Sequence, residues 1–324
     1  MSYETRKYSA ASPYAPPPIL PLRGPTSLFS NLLKLHAHFP QSYVSGTEVQ
    51  TEAQLGDSRQ ALATALEAGR EAAQVHQQYL GQIQVDDWSE KGVADFVTHV
   101  DRDAESRIVA RIRAAFPDHD ILAEEAASDA ALVRRSDFLW IVDPLDGTTN
   151  FLHRYPMYCA SVALLHAGEP LVAAVVCAAT GEEWSALRDV GAFRNGARIR
   201  VSENRRLDRA LIGTGFPFKF PAIRDRYLAQ FRRVMDHVSD IRRAGSAALD
   251  LCHLATGYFD GFWELDLQPW DFAAGVLMIR EAGGMVTALD GGEPDWTQRG
   301  GLIAGNRYMY PLLREIVLEQ EPGN

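Results

Sequence analysis

Two aspartates stand three residues apart in Asp143-Pro144-Leu145-Asp146-Gly147-Thr148-Thr149-Asn150, directly behind the apolar run 138–142. A short apolar run rich in β-branched residues reads as a strand. That strand delivers Asp143 at its carboxyl end, where α/β folds place ligands. Pro144 fixes a bend, Asp146 can turn towards the same point, and Gly147 lets backbone approach a ligand closely. Thr148 to Asn150 can open a helix, whose free N–H groups suit a phosphate. Two carboxylates beside an anion cradle repel each other and the anion, and a divalent cation between them resolves the conflict. A bare Asp-x-x-Asp-Gly also fits an Asx-turn with a helix cap; the eight-residue string is more specific.

Three further acidic groups close apolar runs. Glu124-Glu125 follows Asp120-Ile121-Leu122-Ala123. Adjacent residues at a strand end point to opposite faces, so one glutamate suffices to face a metal; an exposed acidic turn is the plain alternative. Asp271, after Trp270, stands where a helix begins, placed to cap it and still offer an oxygen outward. Asp101, in the stretch 95–101, stands at the start of another helix, to cap it or to orient a hydroxyl elsewhere.

These groups need elements to hold them. Leu62, Leu66, Gly69, Ala73, His76 and Leu80 recur at spacings of three and four, which predicts an amphipathic helix, with Asp57 or Ser58 as its cap and Gly81 at its end. A second helix is predicted from about Asp103 to Phe116, stopped by Pro117. Cys159–Leu165 and Leu171–Val176 read as strands, and Asn195-Gly196 as a hairpin turn. Beyond these, helices are expected near 223–238, 246–256 and 272–282, and strands at 261–265 and 285–289. Strands in the middle with helices on both sides predict a layered α/β or α+β domain.

Composition narrows the function classes. Among 324 residues, 42 acidic side chains face 32 basic ones, a formal charge of −10. Such a chain is poorly suited to wrapping nucleic acid directly, because phosphate neutralisation needs a basic face; it suits a protein that holds cations. The three cysteines, Cys159, Cys177 and Cys252, fit a reducing compartment, hence a cytoplasmic expectation. No run approaches the roughly 20 apolar residues of a membrane-spanning helix. Residues 8–25 hold six of 17 prolines. Residues 1–55 therefore read as a disordered, proline-rich leader without a secretory h-region, and 56–324 as the folded domain.

The strings now match a family. Trp140 to Phe151 resembles the signature of the inositol monophosphatases. So does the carboxyl-terminal string Trp270-Asp271-Phe272-Ala273-Ala274-Gly275, followed by Glu281-Ala282-Gly283-Gly284. The stretches 242–250 and 260–264 resemble the bacterial inositol-1-monophosphatases in particular. The resemblance covers about 57–315.

It implies a layered αβαβα sandwich, two mixed sheets between helix layers, and Mg²⁺-dependent hydrolysis of a phosphate monoester such as myo-inositol monophosphate by metal-activated water. Carried over by position, Glu124, Asp143 and the Leu145 carbonyl hold one metal, and Asp143, Asp146 and Asp271 a second; Glu124 also serves a third, water-rich site. Gly147 and Thr148 meet the phosphate, Thr148 and Asp101 activate water, and Leu145, Asp146 and Asp271 line the substrate. Arg242 and Glu264 fall on the inositol side, and Lys91 lies near the metals. Sister families with the same metal motif hydrolyse fructose 1,6-bisphosphate, 3′-phosphoadenosine 5′-phosphate or histidinol phosphate. The resemblance also implies Li⁺ sensitivity, a homodimer and, for some bacterial members, a protein partner in transcription antitermination. The chain lacks a Cys-x₅-Arg loop or Asp-x-Asp-x-[Thr/Val] start for a covalent phosphoenzyme. Ala123 stands where many members carry glycine.

Overall fold

The longest strands are apolar on both faces, and the fold follows from covering both. The structure, a computed structural model, describes residues 52–83, 89–92, 95–97, 99–126 and 136–319, with side chains except at 52–55, 89–92 and 95–97. The proline-rich stretch, the Lys91 side chain and Thr98 lie outside the described atoms.

Helix α1 (Glu52–Tyr79) is followed by a two-stranded antiparallel ribbon, β1 (Ser89–Gly92) and β2 (Asp95–Val97), and by α2 (His99–Ala115). Because α1 begins at Glu52, Asp57 and Ser58 lie inside it and do not cap it; Gly81 follows its end at φ 77°. Strands β3 (Asp120–Ala123), β4 (Phe138–Asp146), β5 (Cys159–His166), β6 (Glu169–Cys177), β7 (Glu182–Leu187), β8 (Gly191–Arg194) and β9 (Ala197–Arg198) then form one seven-stranded sheet in chain order. Only β3–β4 is parallel, so the sheet is mixed. The Asn195-Gly196 hairpin joins β8 to β9 as expected. A short helix α3 (Thr148–Leu152) leaves the end of β4.

Strand β10 (Leu211–Thr214), α4 (Arg224–Met235), β11 (Asp240–Arg242), α5 (Ala247–Ala255), β12 (Gly261–Leu267), α6 (Pro269–Glu281), β13 (Met285–Ala288), β14 (Gly300–Gly305) and α7 (Met309–Leu318) complete the chain. Their five strands make a second mixed sheet in the order β11-β10-β12-β14-β13, parallel across β11-β10-β12 and antiparallel beyond.

Three cores show the layering. Val75, Ile108 and Ile112 of α1 and α2 pack on the outer face of the large sheet with Trp140 and Val162. The other face, with Ile141 and Trp184, packs on Leu251 and Leu254 of α5 and Phe272 and Val276 of α6; Phe262 and Leu302 of the small sheet close that core. Trp263 and Ile303 on the far side of the small sheet meet Tyr227 and Val234 of α4 and Leu313 of α7. The fold is an α+β sandwich in αβαβα order, with seven α-helices among the described residues. A sheet covered on both faces needs strands apolar throughout rather than alternating, as in β4, where eight of nine residues are buried. The partly buried pair of hydrogen bonds from Arg70 to Glu183, 2.7 Å each, ties α1 to β7. No described helix is long and apolar enough to cross a membrane.

Candidate active site

The acids meet where β4, α3, α5 and α6 end or begin. Strand β4 does not stop at Asp143: it runs to Asp146, with a register irregularity against β5 between the two. Asp143, Asp146 and Asp271 each offer a carboxylate oxygen, all within 4.8 Å of one another. Asp271 is not the N-cap of its helix. Gln268 is, Pro269 opens the helix, and Asp271 at the third position accepts a 2.7 Å bond from the Gln268 amide. Proline at the first helical position costs no hydrogen bond, which is why the helix starts three residues earlier than expected.

Each carboxylate is held by one oxygen. Asp143 Oδ1 accepts from the Leu145 amide at 2.9 Å. Asp146 Oδ2 accepts from Ser246 Oγ at 2.6 Å and the Ala248 amide at 2.8 Å, both at the start of α5. Ser246 also caps that helix. Glu124 sits just past β3, its amide bonded to the Val142 carbonyl at 3.1 Å, beside Asp143. The Glu105 carboxylate on α2 pins this turn through the Glu125 amide at 2.7 Å. Ala123 has no positive φ, so alanine is unstrained there.

Burial is the first cause that pushes Asp143 and Asp271 well above the ordinary carboxylate range. For Asp143 the charges of Glu124, Asp146 and Asp271 add to it; for Asp271 those of Asp146 and Glu124 do. Asp146 is raised by burial and partly relieved by Ser246 and the α5 amides. Mutual repulsion in a desolvated pocket is costly unless a cation or protons neutralise it. The all-oxygen, all-carboxylate donor set fits a hard divalent cation.

Thr148 Oγ1 lies 3.1 Å from both Asp101 Oδ1 and the Leu145 carbonyl oxygen, and its single proton can be donated to either. Asp101 is buried in the first turn of α2. Gly147 has φ 92°, and a Cβ there would lie 2.8 Å from the Met157 carbonyl oxygen, so only glycine makes this bend. Asn150 Nδ2 donates to the carbonyls of Met157 and Ala244, at 2.6 and 2.9 Å, joining α3 to the segment that leads into α5.

Glu264 lies half-buried on β12, raised well above its usual range first by burial and then by Asp271 and Asp250; the charge of Arg243 opposes this. A Cβ on Gly215 would sit 1.9 Å from Glu264 Oε1. Arg242 is not brought to the acids. It is exposed and paired with Asp240 at 2.5 Å. Its neighbour Arg243 carries the field felt by Glu264 and Asp250, and stands over the rings of Phe216 and Phe218. Sequence reasoning missed Ser246, Arg243, Asp250 and Gly215. The Arg242-Arg243 pair and the serine before a helical run were the signals available.

Three converging carboxylates, a Thr–Asp pair and a strand-to-helix bend, set in an αβαβα sandwich, define a phosphatase-type fold with an acidic site suited to metal. The chain belongs to the inositol monophosphatase family, a metal-dependent family whose model matches residues 57–321. It is 42% identical over 256 residues to a putative Nus factor SuhB of Neisseria meningitidis serogroup B, covering 79% of this chain and 97% of that protein. It is 44% identical over 244 residues to an inositol-1-monophosphatase of Rhizobium meliloti, covering 75% of this chain and 90% of that protein. The solved structure of the extragenic suppressor protein suhB of Bartonella henselae superposes with a TM-score of 0.72 at 39% identity, covering 82% of this chain and 99% of that one.

Proposed function

We propose that this chain is a Mg²⁺-dependent phosphatase that hydrolyses myo-inositol monophosphate to myo-inositol and phosphate. The observation that carries this reading is the gathering of Asp143, Asp146 and Asp271 within 4.8 Å, beside the Thr148–Asp101 bond. Glu124, Asp143, the Leu145 carbonyl, Asp146 and Asp271 would hold two or three Mg²⁺ ions. When bound, Mg²⁺ supplies positive charge for the phosphoryl oxygens and lowers the pKa of water.

The chain's own residues do the rest. With its proton directed to Asp101 Oδ1, Thr148 Oγ1 keeps a lone pair to accept from water. A water proton can then pass through Thr148 to Asp101. The backbone amides of Gly147 and Thr148, at the bend into α3, meet the phosphoryl oxygens. Asp146, Asp271 and Glu264 face the polyol, whose hydroxyls can donate to them. Arg242 would have to leave Asp240 to join them. Monoester hydrolysis depends almost wholly on such positioning and charge.

Phosphate release from inositol 1-phosphate and a panel of other monoesters, with and without Mg²⁺, tests this on wild type and Asp143→Asn. Mg²⁺-dependent release led by inositol 1-phosphate, and lost in the variant, supports the proposal. Release led by fructose 1,6-bisphosphate, 3′-phosphoadenosine 5′-phosphate or histidinol phosphate moves the substrate and keeps the chemistry. No release from any ester sinks the enzymatic reading.

The relative named as a Nus factor favours a second role, as a protein partner of the transcription antitermination machinery in the cytoplasm. Asp143→Asn that still captures those components would separate this role from catalysis. The same samples, run by sedimentation, test the homodimer.

A further inference from the structure

His76 is a buried titratable side chain that the proposed chemistry leaves unused. It lies on α1, 68 residues from the acidic loop, with no exposed surface, and its Nε2 is 2.8 Å from the carbonyl oxygen of Pro144. Pro144 stands between Asp143 and Leu145, both proposed metal ligands. A carbonyl oxygen only accepts, so Nε2 must carry the proton. The other nitrogen, Nδ1, is buried and has no hydrogen-bond partner among the described residues. As a bare lone pair it costs less to bury than an orphaned N–H, and this fixes the ring as the neutral Nε2–H tautomer. Burial favours the same state, holding the imidazolium off until about pH 4.

The ring is also fixed in space. Phe151, one turn beyond Thr148, lies 6.0 Å from it, and Tyr158 meets it edge-on at 5.8 Å. Phe151 and Tyr158 contact each other at 5.2 Å. The imidazole therefore touches both ends of the bend: the Pro144 carbonyl before it, and the aromatic residues after α3 starts. Pro144 has no N–H, so its carbonyl is its only backbone hydrogen-bonding group.

We propose that His76 is a positioning residue for the metal loop. Its Nε2–H fixes the Pro144 peptide, and with it the aim of the Asp143 carboxylate and the Leu145 carbonyl towards the cation. The inference rests on the Mg²⁺ site of the proposed function. A polar partner of this kind, lost by mutation, typically weakens metal affinity by about 10–100-fold.

The test is the Mg²⁺ concentration that half-maximally raises the thermal midpoint of the full chain, measured without substrate for wild type, His76→Phe and His76→Gln. Phenylalanine keeps a ring and removes the donor; glutamine restores an amide donor near the Nε2 position. The expected result is a midpoint about tenfold higher for His76→Phe and within about twofold of wild type for His76→Gln. A His76→Phe midpoint equal to wild type overturns the inference while leaving the metal reading intact. A wild type that Mg²⁺ does not stabilise overturns both. If His76→Phe does not fold, the ¹⁵N spectrum of the wild-type imidazole decides. A ring protonated at Nε2 whose signal moves with Mg²⁺ supports the role, and a ring protonated at Nδ1, or one indifferent to Mg²⁺, overturns it.

Discussion

Ser246 Oγ donates to Asp146 Oδ2 across 100 residues of chain at 2.6 Å, and the same hydroxyl caps helix α5 by accepting from the Leu249 amide at 3.4 Å. One side chain thus joins a helix start to a proposed metal ligand. Ser246→Ala loses a cap worth about 1 kcal/mol and a bond to a carboxylate worth about 1.5–3 kcal/mol. The expected outcome is a lower thermal midpoint and Mg²⁺ binding weakened by about tenfold or more, with Ser246→Thr close to wild type. Mg²⁺ titration followed by calorimetry checks both.

Thr148→Ala and Asp101→Asn separate catalysis from metal binding. Both act on the Thr148–Asp101 bond and leave the three clustered carboxylates in place. A positioned proton acceptor contributes about 10²–10⁴-fold, so kcat should fall by that order while the Mg²⁺ midpoint stays put. Single-turnover rates at saturating Mg²⁺ measure the first and thermal shift the second. An unchanged kcat in either variant would refute the proposed proton path.

The acidic cluster sets a pH dependence of definite sign. Asp143, Asp146 and Asp271 are raised in the folded chain, so the folded state holds protons that the unfolded state has released. Without metal, their contribution is fully present below the unfolded value of about 4 and is lost as pH rises through the raised folded values. His76 works the other way: its value is lowered to about 4. Its contribution is present above about 6.5 and is lost as pH falls towards 4. Urea unfolding in EDTA from pH 4 to 8 should therefore show Asp143→Asn gaining on wild type as pH rises. His76→Phe should flatten the loss on the acid side. Added Mg²⁺ should remove most of the alkaline loss, because the cation takes the protons' place.

Gly147→Ala tests the bend. At φ 92°, with the Met157 carbonyl oxygen 2.8 Å from the added methyl, the substitution should cost about 1–3 kcal/mol. That is a drop of roughly 2–4 °C per kcal/mol for a domain of this size. Activity should fall further than stability, because the bend places both Thr148 and Asp146.

The acids were readable because each closes an apolar run or opens a helix, and Asp143, Asp146 and Asp271 converge as those positions require. The residues that grip them were not. Ser246 looks like any helix cap, and nothing local shows that its hydroxyl also reaches β4. His76 falls on the same stripe as Leu66 and Ala73, so periodicity reports only that it is buried, not that Pro144 lies against it. The layer order was equally out of reach of local pattern. β4 is buried on both faces, and its residues do not say which helix covers which side. Such long-range contacts depend on how the sheets stack, whereas caps and strand ends depend on neighbours in sequence.

Arg243 and Arg242 are adjacent, yet they meet different surroundings, and this separates their effects. Arg242 is exposed and engaged with Asp240. Arg243 lies over Phe216 and Phe218 and opposes the rise of Glu264, whose other neighbours are acidic. Removing the Arg243 charge should push Glu264 higher still, so that it ionises at higher pH. If ionised Glu264 accepts a polyol hydroxyl, the acid limb of the kcat/KM profile for inositol 1-phosphate should move to higher pH in Arg243→Met. That profile should stay in place in Arg242→Met, and Glu264→Gln should remove the part of the limb that responds to Arg243, leaving the part set by the metal carboxylates. The shift should appear in KM more than in kcat if Glu264 contacts the polyol, as proposed, rather than the water at Thr148. A limb that moves in Arg242→Met but not in Arg243→Met would reverse the assignment and return Arg242 to the substrate.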